Sequence, residues 1–81
     1  MNENDAAKIV METISELFSV PLSEISKSTT AMDIDGWDSL SHTDLILLLE
    51  EKIDKNLPLD KIQECENVGD LVDVVGLTVG A

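Results

Sequence analysis

Apolar residues recur at helical spacing from Asn4 to about Phe18. Ala6, Val10, Ile14, Leu17 and Phe18 share one side, with Ile9 beside them, while Lys8, Glu12, Ser15 and Glu16 fill the other. That pattern predicts an amphipathic helix. Asn2 or Asn4 is placed to cap its start, and Pro21 ends it or follows its end. A second helical pattern runs from Ser39 to about Lys55. Its run Leu45, Ile46, Leu47, Leu48, Leu49 is wider than one surface stripe, so this helix should lie centrally against several neighbours. Leu45, Leu49 and Ile53 repeat every four residues and should face Val10, Ile14, Leu71 and Val75. Leu40, Thr43 and Leu47 share another stripe, expected to be exposed.

Between these helices, residues 20–37 read as a long connection with one short turn at "PLSEIS". A connection of this length needs anchors, and Leu22, Ile25 and Met32 are the residues expected to pin it to the core. Pro58 breaks the chain before a short helix at about Asp60 to Cys65. Asn67 with Asp70 resembles a capping pair that opens a last helix to about Val75, with Leu71, Val72, Val74 and Val75 buried. The tail, 76–81, is expected to fray. No strand of period two is visible. The expected fold is all-α, a four-helix bundle of three main helices and one short one. It forms one domain over 1–81 with its core at about 4–75.

Composition changes this picture in one respect. The 43% apolar fraction is that of an ordinary folded chain, and one Trp, one Phe and no Tyr leave the core to aliphatic side chains. The charge is unusual: 17 acidic and 5 basic residues give −12, and every basic residue is Lys. Such a chain should be repelled by nucleic acid and anionic membranes and attracted to basic protein surfaces. With Cys65 alone, no intramolecular disulfide forms, which fits a reducing compartment. The segment "MNENDAAKIV" does not read as a signal peptide, and the longest apolar run, Leu45 to Leu49, is too short to cross a bilayer. The expectation is a cytoplasmic, monomeric protein without stable membrane association.

The candidate chemistry centres on "DIDGWDSLSHTDLILLLEEKI", residues 33–53. A calcium loop starting at Asp33 would put Trp37 at its fifth position, Asp38 at its sixth and Asp44 at its twelfth, where a glycine is needed at six and a glutamate at twelve. A nucleophile elbow at Ser39 would need glycines where Trp37 and Ser41 stand, although His42 follows three residues later. A catalytic triad also needs an orienting acid and an oxyanion site in a cleft, and the plainer reading of His42 is an exposed helical residue. Cys65 with His42 supplies too few ligands for a structural zinc. No catalytic and no metal site is expected. The pair Asp38-Ser39 reads as a helix start, with Asp38 as cap. It places the Ser39 hydroxyl beside helix N–H groups, where a phosphate is favoured by roughly 0.3–1 kcal/mol.

With these residues together, the chain resembles the acyl carrier proteins. The likeness rests on Asp38-Ser39-Leu40 at a helix start, "LLLEEKI" after it, "NLP" beyond that, and acidity throughout. It covers almost the whole chain. The resemblance implies an acyl-carrier-like bundle, a non-catalytic carrier, and a 4′-phosphopantetheine arm from coenzyme A bonded to Ser39. A phosphopantetheinyl transferase of the holo-synthase type would install it. It implies that Asp38 presents Ser39 and that Leu40 is an apolar contact beside the arm. Asp35, Asp44, Leu47, Glu50 and Glu51 are then the residues that partner enzymes would read. Residues 33–54 hold seven carboxylates and one lysine, net −6, half of the chain's charge, matching acyl-loading and acyl-processing enzymes with basic docking patches. Ser41 stands where carriers of fatty-acid synthesis usually have an acid, and Trp37 where a small residue is common. In this respect "GWDSLSH" is more similar to stand-alone carriers of specialised pathways, such as polyketide assembly. Two other readings stay open: an aminoacyl or peptidyl carrier, and an unmodified acidic helical adaptor in which Ser39 is only part of a cap.

Overall fold

The structure is a computed structural model that describes residues 3–80. It contains four helices: α1, Glu3–Phe18; α2, Ser39–Ile53; α3, Leu59–Gln63; and α4, Val68–Gly80. Two 3-10 turns, Leu22–Glu24 and Ala31–Asp33, punctuate the α1–α2 connection. The all-α expectation holds, and among the described residues there is no strand. Asn4 lies inside α1 rather than at its cap, and Asn2 falls outside the described residues. No described helix is long and apolar enough to cross a membrane.

The core is aliphatic. Ala6, Val10 and Ile14 of α1 meet Leu45, Ile46, Leu49 and Ile53 of α2, and Leu71, Val72 and Val75 of α4, all buried. α1 packs most extensively against α4 and next against α2. Burying each Val, Leu or Ile side chain contributes about 1.5–3 kcal/mol before chain entropy is counted, so the shared core outweighs the weak intrinsic stability of such short helices. Thr13, the one wholly buried polar residue among those described, donates its hydroxyl to the Ile9 carbonyl at 2.7 Å and leaves no unmet hydrogen bond.

α1 and α2 end alike. Ser19 and Asp54 both adopt left-handed φ of 56°. The next amide then turns back, Val20 N–H to the Ser15 carbonyl at 3.2 Å and Lys55 N–H to the Glu50 carbonyl at 3.3 Å. These left-handed closures satisfy terminal carbonyls and end α2 at Ile53, two residues before the expected Lys55.

The connection corrects the sequence reading. Ile25 is buried as expected, but Leu22 is exposed and Met32 is 94% exposed; Ile34 fills the core instead. Thr30 explains the change. Its N–H and its hydroxyl both reach the Asp33 carboxylate, at 2.9 and 3.1 Å, closing the 3-10 turn with Met32 outward. The extended residue that follows, Ile34, turns inward. Further back, the Thr29 carbonyl accepts from Val68 N–H and the Lys27 carbonyl from Gly69 N–H, both at 2.8 Å. Those are first-turn amides of α4, which have no partner within the helix, so the connection caps α4 with backbone. The approach is close: a Cβ on Gly69 would stand 3.0 Å from the Lys27 carbonyl oxygen.

Asn67 and Asp70 do form a capping pair. Asp70 N–H donates to Asn67 Oδ1 at 2.9 Å, and the Asp70 carboxylate reaches back to Glu66 N–H at 3.0 Å. The expected frayed tail is corrected: α4 continues past Val75 to Gly80. Val79 packs on the core, the Thr78 hydroxyl donates to the Val74 carbonyl at 2.9 Å, and Gly76 lies against Ala6, so the extra turn has contacts to hold it. Ala81 lies outside the described residues.

Candidate functional site at the start of helix α2

Ser39 is the first residue of α2 and is exposed. Asp38, in extended conformation, caps the helix: its Oδ1 accepts from Ser41 N–H at 2.9 Å, while its carbonyl accepts from His42 N–H at 2.8 Å. The Ser41 N–H holds the Asp38 carboxyl below the ordinary carboxylate value, so it is ionised at neutral pH. This changes the expected surroundings of a phosphate on Ser39. The anion position at the helix start is already taken by Asp38, and a phosphate would lie outward of it.

Behind Ser39 stands a stack of rings that sequence spacing did not reveal. The Trp37 ring stacks on Phe18, with centroids 5.3 Å apart, and meets His42 edge to edge, with centroids 6.1 Å apart, each pair 20° from parallel. Trp37 Nε1–H donates to His42 Nδ1 at 3.1 Å. His42 is half-buried rather than exposed, and burial lowers its pKa. The ring is therefore neutral near pH 7, and because Nδ1 accepts, its proton sits on Nε2. The only cue in the sequence was the scarcity of rings: one Phe, one Trp and one His in 81 residues.

Trp37, Ser39 and His42 form one side of an open groove of about 550 Å³; Ala31 borders it from the connection, and Cys65, Asn67 and Leu71 from the far side. The Cys65 thiol lies in this groove, but burial and the carboxylates of Asp70, Asp73 and Glu64 raise its pKa, so it stays protonated and weakly nucleophilic.

The residues expected to meet partners fall into two groups. Leu40 is 79% and Leu47 58% exposed, and Asp35, Asp44 and Glu51 are exposed too. Glu50 departs from them. It is half-buried, and its Oε2 accepts from Leu57 N–H at 2.7 Å, fastening the α2–α3 connection to α2. Seven residues separate donor and acceptor, so no local pattern announces the bond.

The model of the family described as "Phosphopantetheine attachment site" matches residues 8–75. A protein of Guillardia theta named acyl carrier protein is 30% identical over 81 residues, spanning 100% of both chains. The chain belongs to the acyl carrier protein family. Acyl carrier proteins of Acidothermus cellulolyticus and Clostridium perfringens are 32% and 34% identical, over 86% and 79% of this chain and 84% of each relative. Membership of the family implies a covalently attached 4′-phosphopantetheine. The residues of this carrier fit that group: an exposed hydroxyl at a capped helix start, with a groove beside it.

Proposed function

We propose that Ser39 Oγ carries the 4′-phosphopantetheine and that the chain delivers acyl intermediates to enzymes of fatty-acid, polyketide or related biosynthesis. The observation that carries this reading is the exposed Ser39 hydroxyl on the first turn of α2, opening onto the groove. When bound, the arm supplies a terminal thiol that holds the acyl group as a thioester. The chain's own residues present rather than react. Asp38 fixes the backbone that aims Ser39. His42 is not a base for Ser39, because its Nδ1 lone pair is occupied by Trp37 and its Nε2 carries the proton. The proton acceptor for attachment therefore comes from the transferase, in keeping with a carrier that is not itself an enzyme. Leu40 and Leu47, with Asp35, Asp44 and Glu51, offer partners an apolar ridge edged by carboxylates, the complement of a basic enzyme patch.

The test is incubation with coenzyme A and a phosphopantetheinyl transferase of the holo-synthase type, followed by mass spectrometry. Wild type is expected to gain one phosphopantetheine, and Ser39→Ala none. Labelling of the alanine variant would move the attachment to another residue.

A further inference from the structure

His42 has a second nitrogen that the fold leaves unused. Its Nδ1 accepts from Trp37 Nε1–H, which leaves the proton on Nε2. Among the described residues Nε2–H has no partner, and no buried polar side-chain atom is left unsatisfied, so Nε2 is open to solvent. The Trp37 hydrogen bond sets the direction of the imidazole, which lies edge to edge with the indole. His42 also follows Ser39 by three residues on one helix. Residues so spaced are neighbours, about 5–6 Å between Cβ atoms, and a helical side chain leans over the turn before its own. That lean carries the His42 side chain toward the turn that begins with Ser39, and both residues line the same groove.

The other polar groups around that groove make this donor matter. Asp38 beside Ser39 and Glu66 across the groove are carboxylates, Cys65 is a protonated thiol, and Gln63 and Asn67 are neutral. A phosphodiester on Ser39 is repelled by the two carboxylates, and no Lys lines the groove to offset them. His42 is the only lining side chain able to become a cation.

We propose that His42 is a positioning residue for the arm, its Nε2–H donating to a phosphodiester oxygen on Ser39 and holding the arm against the Trp37–His42 wall of the groove. The proposal rests on Ser39 as the point of attachment. It assigns Trp37 the part of fixing the imidazole tautomer, so that the donor rather than a lone pair meets the anion.

The experiment compares unmodified and transferase-treated protein, both labelled with ¹⁵N, with mass spectrometry confirming one added phosphopantetheine. The His42 imidazole is followed by ¹H–¹⁵N correlation across pH, and the phosphodiester by ³¹P resonance. Asp38, Cys65 and Glu66 are present in both forms, so any difference reports the arm. His42 is expected to titrate at higher pH in the modified protein, because a nearby anion favours the imidazolium. The ³¹P signal should shift through the same titration, and that shift should vanish in His42→Phe, which keeps an aromatic ring without a donor. Equal titration of His42 in both forms overturns the proposal while leaving attachment intact, as does a ³¹P profile unchanged by His42→Phe. Should that variant not fold, the wild-type comparison decides. A chain that gains no mass overturns the attachment and this proposal together.

Discussion

Asp38 shows how one side chain can shape both the helix start and its response to acid. The carboxylate is exposed, yet the Ser41 N–H lowers its pKa. As pH falls, the unfolded chain takes up this proton first. The contribution of the cap is therefore complete above the ordinary carboxylate value of 3.8 and is lost as pH falls through the lowered folded value. Asp38→Ala is expected to melt below wild type at pH 7, and the gap should close across that acid window. A thermal melt series against pH checks this; a constant gap would mean that the carboxylate is not the capping group.

Helix α2 presents two faces with different tasks. Leu49 is wholly buried and Leu47 mostly exposed, although only two residues separate them. Leu49→Ala is expected to cost about 2–5 kcal/mol, whereas Leu47→Ala should cost far less and instead weaken transferase binding. Denaturant melts and binding titrations on both variants separate the faces, and equal destabilisation would contradict the difference in burial between Leu49 and Leu47. The neighbouring acids divide in the same way. Glu51→Lys is expected to leave the melting temperature nearly unchanged and to weaken docking, most at low salt. Glu50→Lys removes the acceptor of the Leu57 N–H and should cost about 1–3 kcal/mol in addition. Urea midpoints that coincide for the two variants would show that the Glu50 bond adds nothing.

Over the whole molecule, a net charge of −12 on 81 residues sets folding against binding. The folded chain concentrates like charges that the unfolded chain spreads apart, and the ion pairs Lys52 to Glu16 at 3.1 Å and Lys8 to Glu12 at 4.0 Å are too exposed to offset much of this. Raising salt from about 0.01 M to 0.15 M shortens the screening length from about 30 to 8 Å. The melting temperature is expected to rise over that range while affinity for a basic transferase falls. Calorimetry and binding measured in the same buffers test the opposed signs, and a melting temperature that falls with salt would show net attraction among the charges.

Much of this was legible along the chain because it depends on near neighbours. The period of Leu45, Leu49 and Ile53 selects the inner stripe of α2, and Asp38 before Ser39 marks the helix start, since both follow from helical geometry within a few residues. The same locality made Ser39 stand out. What only the tertiary structure decided depends on atoms distant in sequence or on a choice between equal neighbours. Met32 and Ile34 are both apolar, and the Thr30–Asp33 turn settles which one enters the core. Glu50 and Glu51 are the same residue type, and the return of the chain at Leu57 draws one of them in. α4 outlasts its expected end because Val79 finds the core. His42 is a half-buried donor because Trp37, packed on Phe18 from the far end of α1, donates to its Nδ1. Helical periodicity carries no information about such encounters, because they are set by where the packed helices bring their ends together.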